Sequence, residues 1–459
     1  MDINRLLSAS LLLLGLAAAN IYNGHEIWRL KDLSIEQAQD LHAFLTGLDF
    51  DVWSHGRDWL DVRVPPHLAS PLRRRLQELS VPRSVLIDDV QKKIDEERKD
   101  LGKSQGKTGI HLNEYNELEV IEGYMSELSQ KYEWVSLKSI GQTHEGRDLW
   151  VSVLAVPGEA PKPAVWIDCG IHAREWITQA TCVFGLEFLT SQYGTDEAAT
   201  SLLDAYDIYL MPMHNPDGYY YTWHNDRLWR KNRMQHEGNI CAGVDLNRNW
   251  DDGHWGGEGT SDNSCSDIYK GPEPFSELET QAVRDFTTDL RINNNLTAYF
   301  TIHCYSQLWM YAYGWTGEAT PDDEALYKVS EIGVVALRSV FDTRYQFGSI
   351  YNAIYPASGT SIDWSYSAGV VHTYTLELRD TGNNGFLLPP TEIVPTGPGD
   401  VGRPHSRYYG YLSTCCCYVA TASITFCYTG RLDLMAIFLT VYELLYLWLL
   451  KSRYDILAT

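Results

Sequence analysis

His172 and Glu175 stand three positions apart in the stretch Gly170-Ile171-His172-Ala173-Arg174-Glu175-Trp176. At that spacing an imidazole nitrogen and a carboxylate can converge on one cation. Zinc takes N and O ligands in tetrahedral geometry, and a catalytic zinc keeps three protein ligands and one open position. The apolar run 164–168 leads into the pair and reads as a buried strand, and a helical pattern over about 176–193 leads out, so both residues fall at a strand-to-helix turn. Alone, the spacing more often marks a surface His near a surface Glu. A third residue, His303, closes the apolar run 298–302 and would complete a His₂Glu set, although a lone His at a strand end is usually a packed, hydrogen-bonded imidazole.

The elements that must position these groups follow from periodicity. Between residues 108 and 396 a helix is expected over 112–132, and strands over 134–140, 149–156, 164–168, 207–213, 298–303 and 372–378, with helical stretches between several of them. Strands alternating with helices predict an α/β domain with a mixed, largely parallel sheet flanked by helices. Ligands in such sheets sit beyond the strand ends, where His172, His303 and Glu377 all fall. Residues 20–90 predict a smaller α+β unit. Its strand 26–30 precedes a helix at 34–48, with Ser34 and Gln37 as a capping box and Ile35, Ala38, Leu41, Leu45 and Leu48 on one face. Strands at 50–54 and 59–64, a helix marked by Leu68, Leu72, Leu76 and Leu79, and a strand at 85–87 complete a βαββαβ, ferredoxin-like order. The connecting segment 91–107 carries Lys92, Lys93, Arg98, Lys99, Lys103 and Lys107. It reads as a solvated helix and linker, and equally as a place where a trypsin-like protease would cut.

Composition narrows the setting. The 459 residues allow two or three domains, and 44% hydrophobic residues supply a large core. A formal net charge of −23 argues against nucleic acid or an anionic membrane as partner. Residues 1–19 combine Arg5, the apolar run 11–16 and Ala17-Ala18-Ala19, the pattern of a secretory signal peptide and too short an apolar run for a membrane span. Secretion permits disulfides, and nine cysteines leave at least one unpaired. Asn295-Leu296-Thr297 is an N-glycosylation sequon.

Further blocks decide the reading of the histidines. Leu228-Trp229-Arg230-Lys231-Asn232-Arg233, Val244-Asp245-Leu246-Asn247-Arg248-Asn249-Trp250, Ile302-His303-Cys304-Tyr305-Ser306-Gln307, Ser361-Ile362-Asp363-Trp364-Ser365-Tyr366 and Leu376-Glu377-Leu378-Arg379-Asp380-Thr381-Gly382 follow the first stretch in order. Together they resemble the signature blocks of the zinc carboxypeptidases of the A/B family, from the prosegment to about residue 396. The resemblance implies one Zn²⁺ on His172, Glu175 and His303, the His₂Glu set known of carboxypeptidase A. It implies Glu377 as general base, Arg230 facing the scissile carbonyl oxygen, Asn247 and Arg248 gripping the substrate's terminal carboxylate, and Tyr355 closing over it. Arg174 and Tyr305 would line the subsites before the scissile bond, and Asp245 would orient His172. Ile362 stands at the family's selector position, where an Asp would attract a terminal Lys or Arg; with Ile350, Ile354, Ala357, Gly314 and Thr375 it implies an apolar pocket for aromatic or aliphatic C-terminal residues. Thr360 stands where the family often has Gly, a change expected to narrow that pocket. The family's disulfide pairs Cys241 with Cys265; Cys169 and Cys182 have the spacing of one found in B-type members. Cys304 reads as a small buried residue and not as a ligand.

The resemblance thus implies a secreted, monomeric proenzyme acting on peptide C-termini once residues 20–107 are cut away. B-type specificity and an inactive binding homologue are the alternatives. After residue 396 the likeness stops. Gly397-Pro398-Gly399, Cys415-Cys416-Cys417, Cys427 and an apolar run over 434–450 broken by Glu443 replace the family's closing helix. That run is short for a membrane anchor, and an alternative last exon is the preferred reading; residues 397–459 are expected not to pack as part of the fold.

Overall fold

The structure, a computed structural model, describes residues 21–102 and 109–393. The expectations for the signal peptide, for Lys103 and Lys107, and for residues 397–459 fall outside the described residues.

The first unit runs β1 (Glu26–Leu30), α1 (Ile35–Gly47), β2 (Asp51–His55), β3 (Leu60–Val64), α2 (Pro66–Glu78) and β4 (Arg83–Ile87), with sheet order β2-β3-β1-β4. All three pairings are antiparallel, as the ferredoxin-like order requires. The Ser34 capping box is formed, Gln37 N donating to Ser34 Oγ and Ser34 N to Gln37 Oε1. Leu41 and Leu45 turn into the core, but Ile35 is 78% exposed and Leu48 also faces solvent, because the apolar face runs past the sheet at both helix ends. Trp28, Leu30, Val62, Leu72 and Leu76 complete a core private to this unit.

The connecting segment is more than a solvated linker. Residues Val90–Gly102 form α3, and Val90 and Ile94 are buried in the same cluster as Leu118 and Ile121 of the larger domain. Glu97 makes a buried bidentate pair with Arg227 at 2.6 and 3.0 Å.

In the larger domain follow α4 (Leu118–Lys131), β5 (Val135–Gln142), β6 (Asp148–Leu154), β7 (Ala164–Cys169), α5 (Trp176–Gln192), α6 (Glu197–Ala205), β8 (Asp207–Met211) and α7 (Pro216–His224). Then come α8 (Leu278–Asn293), β9 (Leu296–Cys304), β10 (Leu308–Tyr311), α9 (Asp323–Phe341), β11 (Gln346–Ser349), α10 (Ile350–Ala353), α11 (Ser361–Ser367) and β12 (His372–Leu378). The helix expected from residue 112 begins six residues later. Asn116 Oδ1 accepts from His111 N, and its Nδ2 donates to the carbonyls of His111 and Glu114, a side-chain-tied turn that competes with helix there. The eight strands lie in the order β11-β10-β12-β9-β7-β8-β6-β5. The central four, β12-β9-β7-β8, are parallel; antiparallel pairs lie outside them, with one further parallel pair at the β11 edge. Their near-continuous apolar runs are what a sheet covered on both faces demands.

Candidate active site

Strand register assembles the site. Parallel pairing of β12 with β9 sets Glu377 beside His303, and β7, next to β9, ends three residues before His172. Gly170 makes the turn at φ +71°, a conformation that calls for glycine. A disulfide joins Cys169 to Cys182, tying β7 to α5, and another joins Cys241 to Cys265 around Asp245, Asn247 and Arg248. Among the described residues Cys304 has no disulfide partner and is buried, and its N–H donates to Glu175 Oε2 at 3.2 Å.

His172, Glu175 and His303 are each no more than 3% exposed, and their donor atoms lie within 4.8 Å of one another. His172 Nδ1 is 2.7 Å from Glu175 Oε1 and 3.2 Å from His303 Nδ1. On the far side of the ring, Asp245 Oδ1 lies 3.1 Å from His172 Nε2. A proton on Nε2 shared with Asp245 leaves the Nδ1 lone pair pointing at the other two ligands. Burial, with Arg230 adding, lowers the His172 pKa and keeps the ring neutral, as a ligand must be. Burial alone would raise the Glu175 pKa, but His172 and His303 outweigh it and hold the carboxylate ionised. Two imidazoles and one carboxylate, converging in a buried site, fit a zinc with one position left open.

Around the triad each charge meets another. Arg230 donates through Nε and Nη2 to Asp245 Oδ2 at 3.1 and 2.9 Å, and its Nη1 is 3.9 Å from Glu175 Oε1. Glu377 is the exception. Its Oε2 is buried with no hydrogen bond, and burial, then the charge of Glu175, push its pKa well above the ordinary carboxylate range. Asn247 Oδ1 accepts from Ser361 N, fixing the amide. Arg248 donates to Gly259 O, to Asn247 O and, through Nη2, to the Tyr355 hydroxyl at 2.7 Å.

These groups line a cleft of about 320 Å³ whose apolar end is formed by Met310, Ile350, Ile354, Ala357, Thr360 and Thr375. Ile362 and Gly314, expected in the pocket, lie one layer behind its surface. Ile362 is 1% exposed and packs in the core cluster of Ile350 and Ala357, and Gly314 backs the same two residues. Thr360 Oγ1 accepts from Asp363 N and so caps α11. Leu308 and Met310 line the cleft without having been singled out; their alternation with β10's other face was the available signal.

The first unit closes the cleft from above. Asp51 accepts twice from Arg174 Nη1, at 3.1 Å each, and also from Arg63 Nε at 2.9 Å. Ser54 Oγ meets Ser306 Oγ at 2.5 Å and donates to Tyr305 O. Tyr305 Oη donates to Asp61 at 2.8 Å, and the His55 ring lies 4.0 Å from that of Tyr355. None of these covering residues was legible beforehand, since nothing within Asp51-Val52-Trp53-Ser54-His55 says what it faces. Asn295 is exposed, at φ +51° in the turn before β9.

A metal-ligating triad at the carboxyl ends of a parallel sheet core, with a free carboxylate beside it and a small domain laid across its mouth, is the arrangement of a metallopeptidase precursor. Residues 121–401 match the zinc carboxypeptidase family and residues 28–97 the carboxypeptidase activation peptide. Carboxypeptidase A1 of Sus scrofa is 39% identical over 402 residues, 85% of this chain and 94% of that one. The crystal structure of thrombin activatable fibrinolysis inhibitor superposes with a TM-score of 0.76 at 33% identity, covering 88% of this chain and 99% of that one. Carboxypeptidase A from Helicoverpa armigera gives 0.79 at 26% identity, over 89% and 100%. The chain belongs to the zinc carboxypeptidase family: it is a metallocarboxypeptidase that carries an activation peptide and uses one zinc.

Proposed function

We propose that the chain is a secreted A-type procarboxypeptidase, which releases aromatic or aliphatic C-terminal residues after its prosegment is removed. The observation that carries this reading is the apolar end of the cleft beside Arg248, walled by Met310, Ile350, Ile354 and Ala357. A terminal Lys or Arg there would be buried without a counter-charge. The nearby carboxylate of Asp363 is turned away, onto backbone N–H groups. The proposed division is signal peptide 1–19, prosegment 20–90, connecting segment 91–107 and catalytic domain 108–396. Secretion is supported by the leader pattern and by the two disulfides.

In the reaction, Asn247 and Arg248 hold the terminal carboxylate, which takes the place of the Tyr355 hydroxyl on Arg248. Arg230, steadied by Asp245, donates to the scissile carbonyl oxygen as charge develops there. Zinc, when bound, supplies the Lewis acid for that carbonyl and for the attacking water. Glu377 takes the proton from the water and passes it to the leaving amine, a role that suits a carboxylate with an oxygen free beside the triad. In the precursor, Asp51 and Asp61 occupy Arg174 and Tyr305, groups that would otherwise face the substrate before its scissile bond.

Blocked dipeptides ending in Phe or in Arg, offered before and after limited trypsin, with and without a zinc chelator, test the reading. Phe release only after trypsin, and lost on chelation, is expected. Release of Arg in place of Phe would overturn the pocket and leave the chemistry standing.

A further inference from the structure

Thr360 and Asp363 have the spacing of a capping box at the start of α11, in which the acidic side chain would turn back to the N–H of the cap residue. Only half of that box forms. Thr360 Oγ1 accepts from Asp363 N at 3.2 Å, while the Asp363 carboxylate reaches across to another segment. Both its oxygens accept from Gly314 N at 3.0 Å, and Oδ2 also accepts from Trp315 N at 3.2 Å. Asp363 is fully buried. Burial, with the nearby Asp252 adding, pushes its pKa up to about 7, so its position is a costly one for a carboxylate.

What Asp363 holds is the back of the pocket. Gly314 O accepts from Ala357 N at 2.8 Å, and Ala357 lines the apolar end of the cleft with Ile350. The contact is tight: a Cβ on Gly314 would stand 2.7 Å from Ala357 O and 3.2 Å from both Ile350 Cγ2 and Asp363 Oδ2. A continuous set of hydrogen bonds therefore runs from α11 through Gly314 to the wall that meets the substrate's last side chain.

We infer that Asp363 is a positioning residue for substrate specificity: by fixing Gly314 it sets where Ala357 and Ile350 stand, and so how large a terminal side chain the pocket accepts. This rests on the reading that the apolar end of the cleft receives that side chain. Asp363 touches neither the reacting atoms nor the zinc ligands, so its effect falls on KM and on the preference between side chains.

The test is Asp363→Asn in the full chain, activated by limited trypsin and assayed on peptides ending in Phe, Leu and Arg, with zinc content and Tm measured alongside. Asn keeps the volume but turns an NH₂ toward donors. Losing one buried charged acceptor is expected to raise KM for Phe about tenfold and KM for Leu less, with kcat changed less than about twofold and zinc content unchanged. Gly314→Ala presses on the same wall while keeping the carboxylate; it is expected to shift the Phe to Leu ratio in the same direction, and it carries the test if the Asn variant does not fold. Unchanged KM values in folded variants, with the parent still cleaving Phe and Leu, would overturn the inference and spare the pocket. A fall in kcat with loss of zinc would also overturn it, since the residue would then act on the metal site. A parent enzyme that cleaves Arg and not Phe removes both readings together.

Discussion

The floor and the lid of the cleft use opposite chemistry. On the floor, buried charges are matched to one another: Asp245 takes both His172 and Arg230, and Glu175 lies against both histidines. The lid meets that floor with groups already partnered on their own side or carrying no charge. Asp51 arrives with Arg63 and Asp61 with Arg29, while Ser54 and His55 approach uncharged. Burial, His42, Arg248 and Arg230 lower the His55 pKa to about 3, so the ring is neutral where it covers the arginines. The floor's Asp245 and Glu175 find Arg230 within the floor, whereas Asp51 of the lid is a buried anion shared between Arg63 on its own side and Arg174 on the floor, so docking rests on a charge pair that spans the two units.

The largest expected effect sharpens the floor's side of this comparison. Glu377→Gln should lower kcat of the activated enzyme by about 10⁴-fold, the upper end for a lost general base. The triad does not include Glu377, so zinc content by atomic absorption should not change. A variant that loses zinc would show Glu377 to be part of the metal site. Next comes the lid. Asp51→Ala in the uncleaved chain removes one partner of a buried ion pair and should weaken docking by about 3 kcal/mol. That is the low end of the range, because Asp267 stands 3.4 Å from Arg174 and can take over part of the pairing. Activity of the precursor before trypsin should rise about a hundredfold; a precursor as silent as the parent would move the weight of inhibition to α3 and its Glu97–Arg227 pair.

How much of this was legible in the sequence follows from the same contrast. The triad, Glu377 and Arg248 lie in local blocks whose spacing is set by a strand end and the turn after it, so the order of the blocks nearly gives the site. The central strands β7, β9 and β12 were readable within about two residues because each is a buried apolar run, whereas the short strands β10 and β11 were missed. Misreadings came where a side chain overrides local pattern. Asn116 delays α4, and Ile35 lies on an apolar helical face that the sheet does not reach. The lid contacts were out of reach, since Ser54 and Ser306 stand 252 positions apart and neither belongs to a motif. Asp363 was visible only as a member of a block; its bond to Gly314 depends on two segments meeting in space.

A pH titration presses on the lid. His55 is lowered to about 3 when the lid is docked, by burial and then by His42, Arg248 and Arg230, the last two on the floor. Released from that cover, it returns to the ordinary imidazole range near 6.5. A group depressed on docking favours docking above its free pKa and loses that contribution as pH falls toward its docked pKa. Asp267 opposes this. Burial and the neighbouring Asp51 raise it to about 6, so the docked form takes up one proton as pH falls through 6. Between 6.5 and about 6 the His55 contribution falls alone, and below 6 Asp267 offsets it one for one, so docking weakens toward pH 6 and then levels off. Precursor activity, expressed relative to the trypsin-activated enzyme at each pH, should rise as pH falls toward 6 and then flatten, and with His55→Gln it should instead fall below pH 6. A rise that is unaffected by the substitution would assign the dependence elsewhere.

The smallest effect belongs to the floor's apolar end. Thr360 has two tasks: its hydroxyl caps α11, and its side chain lines the cleft. Thr360→Ser keeps the cap and removes one methyl group, so Tm should hold within about 1 °C while the ratio of kcat/KM for Phe over Leu rises about threefold, within what one methylene changes in a hydrophobic pocket. Thr360→Ala removes the cap as well and should cost about 1 kcal/mol of stability, with the same gain for Phe only if Asp363 alone keeps the wall in place. If the Ala variant gains nothing where the Ser variant does, the cap and the Asp363–Gly314 bond act as one support, and the pocket is set by the start of α11 as a whole.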